Sequence, residues 1–399
     1  MKVLEKMSRT LEWHKERHRP TGFGFALADS VDYLDRGAWD GLTAGASVFL
    51  QRPYLRALET QGPENVSVRC ALLFKGRSPV AAVAMQSVRI SSEHLVREGA
   101  KIPSALKKIE ARVIVCGNLL SWGQHAVAFA PGTDPAEVWP GVAEALYRVR
   151  RADHLAGRTD FVMVKDLRAD DGAVPALKRF SYGPVETDPN MVLEFAPSWK
   201  TYDDYLAGLH SKYRKSALRV QKDLADAGVR LEPLTDLSKD AARLHQLYLQ
   251  VHDAAAVRPV TIAPDYLPAL GATFGAGFRC TVARRDGEIL GFVTTLKDGD
   301  TAIGYYIGFD RAKKDELPLY FALLQATIAD ALALGCRRLS LGRTALEPKA
   351  KLGALPVRTN VWLRHSAAPL NLLIKGLLGS VPHGEAPERN PFKDSPAAE

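Results

Sequence analysis

The densest chemistry in the chain lies at Leu339–Ala354, where Arg343, Thr344, Glu347, Lys349 and Lys351 crowd between Gly342 and Gly353. Arg338-Leu339-Ser340-Leu341 alternates polar and apolar side chains, the pattern of a strand, and Gly342 breaks the run. Pro348 biases Glu347 towards extended backbone, so a loop is expected here rather than a helix. A carboxylate flanked by cations, just past the end of a central strand, can anchor an amine or move its proton. A solvated loop charged for solubility would carry the same residues, so the surrounding elements decide between the two.

Those elements come twice. Residues 49–60 read as a helix with Pro53 in its first turn. Val68–Phe74 and Pro79–Val88 form a hairpin around Lys75-Gly76-Arg77-Ser78. A helix over Ile102–Ala111, a strand over Arg112–Cys116 and a loop over Gly117–His125, carrying Trp122 and His125, come next. Ala136–Arg151 is helical, and Phe161–Val164 and Val192–Phe195 are strands. The pattern restarts at Tyr202 with a helix to Ala227, then helices over Asp240–Ala256 and Asp265–Phe274. Phe278–Arg285 and Glu288–Lys297 pair around Asp286-Gly287, a favoured two-residue turn. Thr301–Phe309, the helix Leu319–Leu334 and the strand Arg337–Leu341 then lead into the charged stretch. The segment at 278–296 resembles the one at 68–85, with Cys70 and Cys280 in matching places, so two copies of one α/β unit are the economical reading.

The 399 residues suffice for two domains, and 46% apolar with 25% charged residues is a globular composition. No run of 18 apolar residues exists, and the N-terminus lacks the apolar core and cleavage site of a secretory signal. A cytoplasmic location is expected. Cys70, Cys116, Cys280 and Cys336 are widely spaced without CxxC or His pairing, which predicts reduced structural thiols and no metal. The net charge of +8 suits a phosphorylated cofactor, a tRNA or an acidic lipid surface without choosing among them; DNA is not expected. No Ser-His-Asp spacing, nucleophile elbow or P-loop is present.

Both ends read as amphipathic. Val3, Leu4, Met7 and Leu11 recur at helical spacing among basic residues in 1–19, and Leu370, Leu373, Ile374, Leu377 and Leu378 make an apolar face near the C-terminus. Helices lying on an anionic bilayer would look like this, and so would helices packed on the fold. The tail from 385 to 399 is expected to be disordered.

In the second half, two helices, a three-stranded meander, a long helix and a strand follow in the order of the GNAT acyltransferase fold. Three stretches make the chain similar to the tandem-GNAT branch of Fem-type and BioF-associated (CelD-like) transferases. They are the basic helix from His210, Lys212, Arg214 and Lys215 to Arg219 and Lys222; Gly304–Asp310 ending the meander; and Leu341–Gly353. The resemblance implies an α/β fold of two tandem GNAT-like domains, each a mixed, largely antiparallel sheet flanked by helices. The boundaries expected are an N-terminal helix and linker at 1–30, a first domain at 31–195, a second at 196–366 holding the site, and a helix and tail at 367–399.

The implied reaction moves an acyl group from an acyl thioester, acyl-CoA or acyl-ACP, to a primary amine. That amine could belong to a lipid or sphingoid base met at the inner face of the membrane. One departure is visible: GNAT enzymes cradle the coenzyme pyrophosphate with a glycine-rich loop before the long helix, whereas Arg311–Pro318 has no glycine. Arg311, Lys313 and Lys314 would have to meet phosphates through side chains, with Arg343 and Lys349 positioning the donor or stabilising charge.

A free alkylamine titrates near about 10.4, so transfer needs a base. Glu347 is the leading base or amine anchor, His125 the second, and Tyr305 and Tyr306 the candidate proton donors to the leaving thiolate. His210, Lys212, Arg214, Lys215 and Trp122 are candidates for substrate binding. Two alternatives remain: a Fem-type aminoacyltransferase using aminoacyl-tRNA in cell-wall synthesis, and a non-catalytic binder on the same fold.

Overall fold

The computed structural model describes residues 19–91, 110–157, 159–255, 258–367, 371, 387 and 389–393. The amphipathic segments expected at 1–18 and in 370–378, Asn371 apart, lie outside these residues, as does 102–109 of the helix expected at Ile102–Ala111. Glu110 and Ala111 of that expected helix begin a strand instead.

The first half supplies β1 (Gly24–Ala28), β2 (Val66–Lys75), β3 (Ser78–Ser91), β4 (Glu110–Cys116), β5 (Val127–Phe129), β6 (Phe161–Leu167), β7 (Gly183–Glu186) and β8 (Asn190–Glu194). The second half supplies β9 (Arg230–Pro233), β10 (Phe278–Arg285), β11 (Glu288–Asp298), β12 (Thr301–Phe309), β13 (Arg338–Ser340), β14 (Leu355–Val357) and β15 (Asn360–His365). One sheet runs β1-β2-β3-β4-β6-β15-β7, and the other runs β9-β10-β11-β12-β13-β8-β14. The two orders correspond strand for strand, except that the sixth strand of each comes from the other half. β15 lies between β6 and β7, and β8 lies between β13 and β14, all antiparallel. Each half therefore closes the other's sheet.

The repeat holds in detail. Cys70 faces Ala84 and Cys280 faces Thr294, and the register slips at Leu73/Phe74 and again at Ala283/Arg284. Both hairpins turn through a left-handed residue, Gly76 with φ 63° and Asp286 with φ 50°. The units part at their fourth strand. In the second, β12 runs unbroken along β11, so that Ile307 and Phe309 face Val293 and Gly291. In the first, β5 makes the corresponding pairs, Val127 to Val83 and Phe129 to Ala81. The strand is thus cut after Cys116, and residues 117–126 leave the sheet as a loop.

Ten helices complete the described fold: α1 (Arg36–Thr43), α2 (Arg52–Gln61), α3 (Pro135–Ala152), α4 (Ala173–Arg179), α5 (Tyr202–Gly208), α6 (Ser211–Asp226), α7 (Ala241–His252), α8 (Tyr266–Phe274), α9 (Leu319–Ala333) and α10 (Leu346–Lys351). α2 opens with its proline in the first turn, where the missing N–H has no helical partner to lose. The single helix expected over Tyr202–Ala227 is two, because the Leu209–His210 backbone turns out to meet the C-terminal segment. Leu209 bridges Phe392, and the His210 N–H donates to Pro391 O at 2.8 Å.

A shared core holds the halves together. Trp39, Phe49 and Tyr54 of the first half join Tyr266, Phe292 and Tyr305 of the second in one buried cluster. Burying such side chains contributes roughly 1.5–3 kcal/mol each. The outer faces are covered separately, by α3 in the first half and by α6 and α9 in the second. α7 approaches β12 so closely that a Cβ on Gly308 would come within 2.6 Å of the Tyr248 backbone nitrogen. Only glycine fits there, and the close approach brings the end of α7 to the site described next.

Candidate functional site

β12 and β13 pair in parallel only where Thr301–Ile303 meets Arg338–Ser340. β13 then stops while β12 continues to Phe309, so its edge from Gly304 onwards has no strand partner among the described residues. Between them opens a cleft of about 410 Å³. The pairing of β11 with β12 slips here, Thr294 facing Tyr306 and Thr295 facing Gly304, which leaves Tyr305 as the extra residue of a bulge. The Tyr306 N–H turns to the Thr294 hydroxyl at 3.0 Å.

Lys349 is the buried cation of the cleft. It sits on α10, 3% exposed, and its Nζ donates to Gly342 O at 3.2 Å. Burial lowers its pKa to about 7, so at neutral pH it carries its proton about half the time. Ala345, the residue that caps the start of α10, adopts the left-handed region (φ 53°), and Pro348 sits in the helix's first turn. The loop expected around Glu347 is therefore a short helix, since a proline in the first turn breaks no hydrogen bond.

The apolar side of the cleft comes from Val251, Val293, Ile307, Phe309 and Leu324, with Tyr320 and Thr327 from α9. Tyr248 and His252, four apart on α7, stack at 5.0 Å between centroids. His252 Nδ1 lies 3.0 Å from the Tyr248 hydroxyl and Nε2 3.0 Å from Thr261 Oγ1, and burial lowers its pKa. Tyr306 packs edge-on against Tyr248 at 5.5 Å, and its hydroxyl has no hydrogen-bond partner among the described residues. Burial raises that phenol well above its ordinary 10, which keeps it protonated. Tyr305 lines the cleft, while its hydroxyl lies 2.7 Å from Tyr266 and 3.4 Å from Tyr54 in the shared core.

The last wall comes from the other half. Trp122, on the loop that interrupts the first unit's fourth strand, lines the second unit's cleft. Two cations lie over its indole, Arg343 at 5.3 Å and Lys165 at 5.5 Å from the ring centroid. Arg343 in turn is paired with buried Asp166 and reaches Thr359 Oγ1 at 3.1 Å. Asp166 also accepts from Lys165 Nζ at 2.8 Å and the Gly123 N–H at 2.9 Å. Burial would raise the Asp166 pKa, but the two cations outweigh it and the carboxyl stays below its usual range.

The residues singled out by sequence thus fall in four places. Lys349, Tyr305, Tyr306, Trp122 and Arg311 line the cleft, Arg311 at its exposed rim with its N–H on Gln250 Oε1 at 2.9 Å. Lys313 and Lys314 follow Arg311 and make no ion pair among the described residues. Arg343 and His125 lie in the seam between the halves. The His125 Nε2 donates to the Trp122 carbonyl at 2.6 Å and its Nδ1 lies 2.9 Å from Ser47 Oγ, so both ring nitrogens are engaged. Burial lowers the His125 pKa, with Asp298 opposing, and the ring positions Trp122 rather than facing the cleft. Glu347 stands outside, bound to Arg389 at 2.8 Å and Lys351 at 3.3 Å. His210, Lys212, Arg214 and Lys215 lie at the start of α6, none of them lining the cleft.

Tyr248, His252, Tyr320 and Thr327 were not singled out in advance. The i, i+4 spacing of Tyr248 and His252 was the available signal. Among the described residues no group of His, Cys, Asp or Glu could hold a metal ion, and the four cysteines are buried and unpaired. No helix among them is long and apolar enough to cross a membrane.

Residues 211–350 match a family described as an acetyltransferase (GNAT) domain. The structure is similar to that of FemX, with a TM-score of 0.54 at 10% identity over 88% of this chain and 100% of that one. A tandem GNAT protein from the clavulanic acid biosynthesis pathway, without AcCoA, aligns at 15% identity over 86% and 99% of the two chains, with a TM-score of 0.49. No curated protein matches in sequence. The fold is accordingly α/β, with two tandem GNAT-like units, and the matched domain contains β12, α9, β13 and most of α10.

Proposed function

We propose that the protein is an N-acyltransferase that moves an acyl group from acyl-CoA to a primary amine in the cleft between β12 and β13. The observation that carries this reading is the splay itself, an unpaired strand edge ending beside a buried lysine of near-neutral pKa. The free edge of β12 offers its backbone groups to an extended, amide-bearing chain such as the pantetheine arm. Arg311, Lys313 and Lys314 follow at the rim, where side-chain cations would take the place of a glycine loop for the phosphates.

The chemistry is direct. The neutral amine attacks the thioester carbonyl, an N–C bond forms, and the C–S bond breaks. Lys349, when unprotonated, takes the proton the amine must lose; its ammonium, with a pKa of about 7, is acidic enough to return that proton to a departing thiolate. Tyr306, held neutral, stabilises developing charge as a hydrogen-bond donor. Tyr305, displaced from the ladder by the bulge, places backbone groups at the cleft. Trp122 and the aromatic side chains of α7 and α9 exclude water. The finer reading, a lipid or sphingoid-base amine as acceptor, is supported by the apolar lining of the cleft and by the amphipathic terminal sequences.

The test is incubation with acyl-CoAs and a panel of amines, read by mass spectrometry and by free-thiol release. Amine-dependent thiol release that disappears in Lys349→Met is expected. Absence of any acyl transfer in the wild type, with the chain folded, would sink the reading.

A further inference from the structure

Away from the cleft, a second hollow of about 630 Å³ opens on the outer face of the first unit. It is lined by Arg19, Arg148, Arg151 and Arg364, with Glu144 as its one carboxylate and Tyr147 and Phe180 among its apolar groups. Glu144 is already saturated: it accepts the Thr21 N–H at 2.8 Å and hydroxyl at 2.6 Å, and Arg148 at 2.7 Å. Arg19, Arg151 and Arg364 have no carboxylate partner among the described residues. Arg150 stands beside them, its guanidinium over the Tyr147 ring, half-buried and facing the like charge of Arg364. Arg19 and Arg151 are exposed and Arg364 is half-buried, so like-charged guanidinium groups gather here without counter-charge and favour an anion that joins them.

Two further features identify the anion. The hollow has an aromatic wall, and Tyr147 is 38% exposed beside it. The chain also leaves the described fold here at both ends: Arg19 directly follows residues 1–18, and Arg364 lies a few residues before 368. Those are the segments whose sequences are amphipathic, the first of them basic. We infer that this arginine face docks the protein on an anionic lipid surface, with phospholipid headgroup phosphates seated among Arg19, Arg151 and Arg364. The docking does not depend on the acyl-transfer chemistry, so the two can fail separately.

Cosedimentation of the full chain with vesicles tests it. Equal mixtures of phosphatidylcholine and phosphatidylglycerol should bind the wild type, and phosphatidylcholine alone should not. Each arginine lost should weaken binding about fivefold, the equivalent of roughly 1 kcal/mol, so Arg151→Gln with Arg364→Gln should lose about twenty-fivefold. Removing the same charge elsewhere, with Arg77→Gln and Arg230→Gln, should not. Turnover of a water-soluble amine should be unchanged in the hollow variant, and wild-type vesicle binding should weaken as salt is raised. Equal binding by the two double variants, or no binding of wild type to the anionic vesicles, overturns the proposal. So does a melting temperature raised by glycerol 3-phosphate without vesicle binding, which would make the hollow a soluble-phosphate site.

Discussion

Gly342 lies against the indole of Trp122, and a Cβ added to it would come 2.3 Å from Nε1. The contact joins the two halves at the wall of the cleft. Gly342 also has φ 79°, a conformation that penalises any side chain. Gly342→Ala should therefore cost about 1–2 kcal/mol from the backbone alone and displace the indole as well. We expect a lowered melting temperature, altered tryptophan emission, and acyl transfer reduced at least about tenfold, the equivalent of a 1.4 kcal/mol rise in barrier. Trp122→Phe, which keeps an aromatic wall, should recover more activity than Trp122→Ala. Equal activity of those two variants would mean the wall does not shape the site.

Lys349 ties stability to activity. Its pKa falls from 10.5 in a free lysine to about 7 in the fold, so the native state binds its proton less readily than the unfolded chain. Between these values the unfolded state holds more protons, and stability must rise with pH across that window. Below it the full penalty applies, on the order of 5 kcal/mol at 1.36 kcal/mol per unit. Denaturation midpoints should therefore climb from pH 7 to pH 9 in the wild type and climb less in Lys349→Met. That variant should be more stable than wild type at pH 7 and inactive. Wild-type turnover should rise through pH 7 as the amine of Lys349 becomes free. A flat rate profile there would remove it as the base.

The repeat was legible because Cys70 and Cys280 sit in hairpins with the same alternation and the same turn position, features set by local sequence. The exchange of β8 and β15 was not. Asn190–Glu194 and Asn360–His365 are short runs that read as strands, but nothing within them says which sheet they join. Trp122 is a candidate for substrate binding from its loop alone, but which wall it forms depends on the tertiary packing that carries the 117–126 loop to the other unit. At the site, the charged stretch supplies one residue inside the cleft and one outside it. Glu347 and Lys349 look equally solvated in sequence, yet one lies 3% exposed in the cleft and the other is held outside by Arg389. Two residues along a short helix point to different sides.

Asp166 is the counter-charge of the seam, shared by Lys165 and Arg343. Asp166→Ala leaves both cations without it, at a cost of about 3–5 kcal/mol for a broken buried pair. Loss of the folded state at moderate temperature is expected by circular dichroism. The wild-type network should also fail in acid. The folded pKa of Asp166 is depressed below its ordinary 3.8, so its contribution is present above that value and lost as pH falls through the folded pKa. Arg343→Lys retains charge but not the planar guanidinium that lies over Trp122 while its Nη2 meets both Asp166 and Thr359, and should be intermediate in melting temperature. Were Arg343→Lys to match wild type in both stability and turnover, the guanidinium geometry would be irrelevant to the seam.

Glu347 offers the sharpest contrast with Lys349. Its carboxylate is exposed and paired with Lys351 and Arg389, and these partners draw its pKa below the usual range despite an opposing desolvation effect. It is therefore ionised throughout neutral pH and faces away from the cleft. Exposed pairs of this kind contribute little to stability and are screened by salt. Glu347→Gln should leave the melting temperature within error of wild type, at low salt and at high. Turnover should be unchanged and its pH profile unmoved, because no proton in transit reaches this side of α10. A strong loss of turnover in Glu347→Gln, with the fold intact, would return the base to Glu347 and reduce Lys349 to a charge that orients the donor.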